Sequence, residues 1–114
     1  MNDRVRVERW LADLDATLIS ASALVARGRE AFDHDPALPL AFEALVNRVG
    51  DLAKRLTAAD PERFDQSIWR AAARTRGFVV HHYDRIDLDV LWRTVSVSLP
   101  QLHEEVRTER SPTL

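Results

Sequence analysis

Cysteine is absent from the 114 residues, which excludes disulfides, a thiolate nucleophile and cysteine-ligated zinc. Long apolar runs are also missing, and nothing approaches the ~18 consecutive apolar residues of a membrane-spanning helix. The segment from Met1 to Trp10 carries five charges, so we expect no secretory signal and a cytoplasmic protein. Neither sign of charge dominates, because the net charge is −2; this argues against nucleic-acid binding by the whole surface.

The chain has enough apolar residues for one core, since they form 46% of a sequence that also has 30% charged residues. A chain of this length buries roughly 65% of the surface that its unfolded form exposes. We therefore predict a single domain over residues 1–114. Strand-like alternation and internal repeats are both absent from the sequence, which favours an all-α fold.

The N-terminal half predicts two long helices. A heptad-like apolar stripe predicts the first, from Arg4 to Ala31, packed nearly antiparallel to its neighbour. Gly28 falls near the end of this stripe and is expected to let another backbone approach. The i, i+3, i+4, i+7 pattern predicts the second, from Pro39 to Thr57. The predicted core faces consist of Val7, Leu11, Leu14, Leu18, Ala21, Val25 and Phe32, then Phe42, Leu45, Val46, Val49, Leu52, Ala53 and Leu56.

The third predicted helix begins where aspartate is followed by proline. Asp60 suits an N-cap and Pro61 suits the first helical position, so the helix is predicted to run from Pro61 to about Arg85. Gly77 is the place where this helix would break, since glycine favours helix least among residues other than proline. Its inward residues are predicted to be Phe64, Ile68 and Trp69.

A final helix is predicted from Leu88, with Asp87 as its N-cap. Pro100 lies inside this helix and is expected to kink it or split it in two. Its predicted core face consists of Leu91, Trp92, Val95, Leu99, Leu102 and Val106. The sequence as a whole therefore predicts an up-and-down, all-α bundle of four to five helices.

One arginine, two histidines and a tyrosine occur within the eight residues R-G-F-V-V-H-H-Y, from Arg76 to Tyr83. Arginine is a permanent cation that grips a phosphate through two N–H donors. Histidine both takes and gives a proton near neutral pH. Arg76 and His81 are therefore sufficient in principle to cleave RNA without a metal. In such a reaction the ribose 2′-hydroxyl attacks the adjacent phosphate, so DNA is spared.

The residues around this stretch are basic. Residues 70–85 contain Arg70, Arg74, Arg76 and Arg85 against one acid, which gives this window +3 and the remainder −5. Charge alone favours a plain solvated surface. A local basic patch can nevertheless contact a few phosphates, so Arg70, Arg74 and Arg85 are candidate RNA-binding residues.

The spacing of the arginine, histidine and tyrosine resembles the motif of the HEPN family, and more closely its HepT-like branch of small bacterial toxins. The flanking sequence is similar too. Trp69 lies seven residues before the arginine, I-D-L-D-V-L-W follows the tyrosine from residue 86, and L-P-Q-L occurs from residue 99. The detailed resemblance covers residues 68–103, and the N-terminal half matches only as generic helices.

The resemblance implies a HEPN-like bundle that acts as a homodimeric, metal-independent ribonuclease without a cofactor. It also implies the toxin of a toxin–antitoxin pair, with tRNA or mRNA as substrate. The usual partner is an MNT-type nucleotidyltransferase, which silences the toxin by attaching AMP to the motif tyrosine, here Tyr83. The added nucleotide would bring negative charge and bulk beside Arg76 and His81 and would repel the RNA phosphate.

Gly77 departs from the family pattern, which usually has a small polar residue, most often asparagine, after the arginine. Glycine has no side chain to orient the arginine or to contact substrate, and it loosens a helix by about 1 kcal/mol relative to alanine. Two alternatives therefore stay open. One is a weak or inactive HEPN module that binds nucleotide, RNA or a partner protein, and the other is a helical dimer with a structural role.

Helical geometry separates the two candidate catalytic residues. On a regular helix, Arg76 and His81 point about 140° apart, so they do not meet on one phosphate within one chain. Either the backbone is irregular near Gly77, or two chains contribute to one site. We favour the second explanation, in which a two-fold dimer brings two motifs into one cleft.

Ordinary roles are expected for the other histidines and for the tryptophans. His34 and His103 are interpreted as non-functional, and His82 as a bystander of the motif. Trp69 and Trp92 are predicted to anchor the core or a dimer interface. Paired Glu-x-x-His motifs, which a di-iron bundle needs, do not occur in the sequence, so no metal site is predicted.

Overall fold

The computed structural model describes residues 3–81 and 87–111, with the side chains of 76–81 outside that description. Every regular element in these ranges is helical, which confirms the predicted all-α bundle. The elements are α1 (Asp3–Val25), α2 (Gly28–His34), α3 (Ala37–Ala59), α4 (Ser67–His81), α5 (Leu88–Arg93), a π-helical turn (Thr94–Ser98) and α6 (Leu99–Arg110). None of these helices is long and apolar enough to cross a membrane.

Helix α3 is the centre of the bundle. It packs against α1 on one side and α4 on the other, and α1 also packs against α6. The predicted core faces are confirmed, with only Val25, Leu45, Ile68 and Trp92 of the predicted inward residues left partly exposed. Each fully buried aliphatic or aromatic side chain contributes roughly 1.5–3 kcal/mol, so this apolar core is the main source of stability.

The first predicted helix is divided at Gly28, so the single helix from Arg4 to Ala31 is wrong. Helix α1 ends in a turn in which the Arg27 amide donates to the Leu24 carbonyl at 3.1 Å. Gly28 then adopts φ of +91°, a left-handed conformation that favours glycine. A Cβ at this position would meet nothing within 4 Å, so the expected approach of another backbone is also wrong.

The predicted start of the third helix at Pro61 is wrong as well. Asp60 begins only one turn, which closes where the Phe64 amide donates to the Asp60 carbonyl at 3.1 Å, and α4 starts at Ser67. The rings of Phe64 and Trp69 are both buried, with centroids 4.8 Å apart. Residues five apart on one helix point about 140° apart, so both rings enter the core only because the helix restarts between them.

The last helix begins as predicted. Asp87 Oδ1 accepts hydrogen bonds from the amides of Asp89 at 3.0 Å and Val90 at 3.2 Å, an N-cap worth about 1 kcal/mol relative to alanine. The kink or split predicted near Pro100 is not found as a break: the helix widens into a π-helical turn at 94–98 and continues directly into α6. In a regular helix the proline ring clashes with the carbonyl four residues earlier, and the wider turn relieves this contact.

Three aromatic rings fix the start of α5 against the rest of the bundle. Phe32 of α2 lies 5.2 Å from Trp92 and 5.7 Å from Phe42 of α3, measured between ring centroids. An ion pair supports them, because Arg29 Nη2 lies 2.6 Å from Asp89 Oδ1. The helix that follows residues 82–86 is therefore held by both α2 and α3.

Arg63 lies in the connection between α3 and the N-terminal end of α4, and its ion pairs attach this connection to the bundle. Its Nε lies 2.6 Å from Glu109 Oε1 and its Nη1 lies 3.1 Å from Glu8 Oε1. Partial burial lowers the pKa of Arg63, but hydrogen bonds to Glu109 and Glu8 outweigh it, and the pKa lies above its ordinary value. The connection between α3 and α4 is thus attached to both terminal helices.

Candidate functional site

The arginine and histidine singled out in the sequence both lie in the C-terminal part of α4. The backbone is α-helical from Ser67 through Gly77 to His81, so the break expected near Gly77 is not found. The side chains of Arg76 and His81 lie outside the described residues, as do Tyr83 and Arg85 altogether. For positions 76 and 81, the structure gives the backbone of α4, and therefore their helical register relative to the described residues 67–75.

The helical register of α4 aligns position 81 with two of its arginines. Arg74 lies two turns before it and Arg70 one turn before that, and both arginines are exposed. We call Arg70, Arg74 and His81 the α4 basic stripe. Position 76 belongs to a different face, because it lies one turn after Ala72 and two turns after Trp69, which are both buried.

The electrostatics of α4 suit a polyanion. The helix contains three arginines and neither aspartate nor glutamate. Arg70 Nη1 donates to the backbone carbonyl of Asp65 at 2.6 Å, a contact that orients the guanidinium without cancelling its charge. Cations on one exposed helix face can contact successive phosphates. The α4 basic stripe is therefore a candidate RNA-binding surface.

A second polar feature lies on α3 and was missed in the sequence. Glu43, Asn47 and Gly50 follow one another at spacings of four and three, and we call them the α3 rim. Arg48, on another side of α3, meets α1 where its Nε donates to Thr17 Oγ1 at 3.1 Å.

The polar atoms of the α3 rim are partly withdrawn from water. Burial raises the pKa of the Glu43 carboxyl above its ordinary value. The amide oxygen of Asn47 is enclosed and has no hydrogen-bond donor among the described residues. The spacing of these polar residues along the second helix was the available signal, but single polar residues on a long helix are usually solvated.

His103 occupies a site of another kind. It is buried, and its Nε2 donates to Asp15 Oδ1 at 2.8 Å, while Arg110 Nη1 donates to the other carboxylate oxygen at 2.7 Å. This cluster joins α1 to α6 beside a cavity of about 120 Å³. His34 is exposed, and its Nδ1 donates to the Glu30 carbonyl at 2.8 Å. Neither histidine lies on α4.

Two comparisons with known proteins bear on the site. A family model described as Ribonuclease HepT-like matches residues 14–109. A curated protein of Caldanaerobacter subterraneus subsp. tengcongensis, named Putative RNase TTE0752, is 27% identical over 78 residues, which cover 68% of this chain and 70% of that protein. No solved structure matches the chain significantly. The matched range includes α4 with its arginines and the whole α3 rim.

Proposed function

The chain belongs to the HepT-like ribonuclease family, and from this premise we propose that it is a metal-independent RNA-cleaving toxin silenced by a cognate nucleotidyltransferase. The observation that carries the proposal is the motif on α4, a helix with three arginines and no acid. Arg76 and His81 are the catalytic residues in this proposal. Arg70, Arg74 and Arg85 bind the RNA phosphates on either side of the cleaved bond.

The proposed reaction uses the RNA's own nucleophile. The imidazole of His81 takes the proton from the 2′-hydroxyl, or delivers one to the departing 5′-oxygen, as the 2′-oxygen bonds to phosphorus. The bond from phosphorus to the 5′-oxygen breaks, which leaves a 2′,3′-cyclic phosphate and a 5′-hydroxyl. Arg76 stabilises the charge that builds on the phosphate oxygens. An RNA with 2′-deoxyribose at the cleaved position would not react.

Two copies of the chain form the site in this proposal. The register of α4 supports it, because positions 76 and 81 lie on different faces of an unbroken helix. A second chain could supply the histidine that one chain cannot bring to its own arginine. Exposed apolar residues on the C-terminal helices are also typical of an interface. Leu88 and Val90 on α5 are each 41% exposed, and Val97 in the π-helical turn is 47% exposed.

Growth on expression tests the toxin. We expect production of the wild-type protein in bacteria, without any partner, to arrest growth and shorten the lifetime of tRNA or mRNA. Arg76→Ala removes the phosphate-binding cation and is expected to restore growth, since losing one such group costs about 10²–10³-fold in rate. Equal growth of the two strains at equal protein levels would instead indicate the inactive module that Gly77 favours.

The proposed silencing acts on Tyr83. The tyrosine hydroxyl attacks the α-phosphorus of ATP on the partner enzyme, pyrophosphate leaves, and the AMP ester places a negative charge beside the motif. Co-expression of a nucleotidyltransferase from the neighbouring gene is expected to rescue growth of the wild type but not of Tyr83→Phe. Mass spectrometry should find one AMP on the rescued wild-type chain. If the phenylalanine variant is rescued equally well, the partner acts by covering the cleft.

A further inference from the structure

A cavity of about 120 Å³ lies between α1 and α6, and we call it the α1–α6 cavity. Its mouth is partly open and is formed by exposed side chains that include Ser22, Glu104 and Arg107. Its deeper walls are buried and mostly apolar, with His103 as a polar member. The π-helical turn at 94–98 borders the cavity through Val95, and π-helical turns occur frequently at functional sites.

The imidazole of His103 is held in one orientation at this cavity. Its side chain is only 9% exposed, and its Nε2 donates to Asp15 Oδ1, while Arg110 holds the other oxygen of that carboxylate. Because a carboxylate oxygen only accepts, Nε2 carries the hydrogen of the neutral ring and Nδ1 is an acceptor. Nδ1 has no hydrogen-bond partner among the residues that the structure describes. A ligand in the cavity therefore meets an oriented imidazole with one acceptor left for it.

The charged side chains around the cavity neutralise one another. Arg107 Nη1 donates to Glu104 Oε1 at 2.8 Å, and Arg110 Nη1 lies 2.7 Å from Asp15 Oδ2. Each cation has a carboxylate beside it, so the cavity offers a small anion or a metal ion no surplus of opposite charge. A neutral ligand with an apolar body and a hydrogen-bonding edge suits these surroundings better.

The size of the cavity and its polar groups select among neutral rings. A cavity of about 150 Å³ holds one benzene ring, so the α1–α6 cavity with its open mouth has room for one six-membered ring but not for a purine. The uracil base of uridine has a single N–H donor, at N3, between two carbonyl oxygens. His103 Nδ1 is the matching acceptor, and the Ser22 hydroxyl and the Arg107 guanidinium can donate to the carbonyl oxygens. Cytosine has an acceptor at N3, which would oppose the lone pair of Nδ1.

We propose that the α1–α6 cavity is a uracil-binding site, in which the N3–H group of the base donates to His103 Nδ1. The base comes from an unpaired uridine of the RNA substrate, since sequence-specific recognition of RNA targets unpaired bases. This source rests on the proposed function, whereas the fit of the base to the cavity does not. No described residue of α4 lines the cavity, so the bound uridine lies away from the cleaved bond and makes cleavage depend on the sequence of the RNA.

Titration of the isotope-labelled, full-length protein with uridine tests the site by NMR without any cleavage. The amide resonances of Ser22 and His103 are expected to shift, because both residues line the cavity. N3-methyluridine lacks the N3–H group and should bind about 10-fold more weakly, since losing one hydrogen bond and leaving its partner unpaired costs about that much affinity. Cytidine should also bind about 10-fold more weakly, for the same reason.

Ser22→Leu is the variant that tests the cavity itself. It fills the mouth with apolar volume at an exposed position, so the fold should be retained while the affinity for uridine falls by about 10-fold or more. Ala23→Leu is the matched control, because Ala23 is the next residue, is exposed and does not line the cavity. In cleavage assays, Ser22→Leu should raise the KM of an RNA with unpaired uridines by about 10-fold. The KM of an RNA with cytidine at these positions should change far less.

The outcomes separate this inference from the proposed function. Equal affinity for uridine and N3-methyluridine would overturn the inference, and so would a titration in which neither resonance shifts. In both cases, cleavage of RNA by the wild type would leave the proposed function intact. An unchanged KM in Ser22→Leu, together with uridine bound in the cavity, would overturn RNA as the source of the base in favour of a free nucleoside. Uridine binding by a wild type that does not cleave RNA would overturn the proposed function and leave the uracil site.

Discussion

RNA cleavage is expected to fall by about 10²–10⁴-fold when His81 is replaced by alanine, the usual contribution of a general acid or base. The substitution removes the group in the motif that exchanges a proton near neutral pH. The α-helical backbone and the melting temperature should be preserved, because the helical register aligns position 81 with Arg70 and Arg74, which are both exposed. The measurement is the initial rate of cleavage of a fluorescent RNA oligonucleotide in the presence of a metal chelator.

His34→Ala is the matched control for this experiment. His34 is exposed and lies at the end of α2, where its Nδ1 donates to the Glu30 carbonyl. It should cleave like the wild type when purified in parallel. Retention of the full rate by His81→Ala would show that the imidazole takes no part in the reaction, whatever the effect of Arg76→Ala.

Co-expression of Arg76→Ala with His81→Ala, which are each expected to be inactive, tests whether the site is shared between two chains. In a two-fold dimer of Arg76→Ala with His81→Ala, one of the two clefts would contain an intact arginine from one chain and an intact histidine from the other. Co-expression is therefore expected to restore roughly a quarter of the wild-type rate when the chains pair at random. A site built within one chain would give no recovery, since each chain would still lack one of the two groups.

The largest loss of stability is expected at Trp69. This side chain is completely buried on α4, with its ring against Phe64 at 4.8 Å. Trp69→Ala leaves a large cavity between α3 and α4 and should lower the free energy of unfolding by about 3–5 kcal/mol. That is a large part of the roughly 5–15 kcal/mol of a typical domain. Thermal unfolding should record a fall in the melting temperature on the order of 10–20 °C.

Trp69→Phe distinguishes the contribution of ring packing to stability from that of the indole N–H group. The Trp69 Nε1 is buried without an acceptor among the described residues, so removing it costs no hydrogen bond seen in the structure. The phenylalanine variant should therefore lose far less stability, about 1–2 kcal/mol, mainly through the smaller ring. Equal losses in the two variants would mean that Nε1 has an acceptor in solution and that packing is the lesser contribution.

The fold could be predicted from the sequence because the spacing of apolar residues indicates which positions are buried. Nearly every apolar position assigned to a core face is buried, and Asp87 caps the final helix as its residue type predicts. The error in the first helix arises because apolar spacing does not report the direction of the backbone. Phe32 lies seven residues after Val25 and keeps the apolar period, although Gly28 redirects the chain between them. Periodicity tells which side of a segment is buried, and it does not tell whether the segment is continuous.

The error at Asp60 has a different origin. The cap and proline are genuine start signals, and they do start a turn. The length of that turn depends on Phe64 and Trp69, whose rings meet in the core only if the helix restarts. Capping residues and prolines indicate where a helix can begin. Its length depends on packing between side chains such as Phe64 and Trp69, which is seen only in the tertiary structure.

The candidate site was predictable only in part. Arginine and histidine were recognised by their chemistry and spacing, and the structure adds that the backbone of α4 is an unbroken helix between positions 76 and 81. Asn47 could not be found in the same way. Its amide oxygen is enclosed and has no donor among the described residues, and this property cannot be read from a single asparagine in a long helix.

The π-helical turn before Pro100 has a consequence for comparing this chain with its relatives. A π turn holds about one residue more than an α turn, so the helix from Leu88 to Arg110 contains an extra residue at 94–98. A relative whose helix is α-helical throughout has one position fewer at this place. An alignment without a gap would then pair inward residues such as Leu102 with outward ones. Sequence identity counted over such an alignment would underestimate the similarity between this helix and the corresponding helix of the relative.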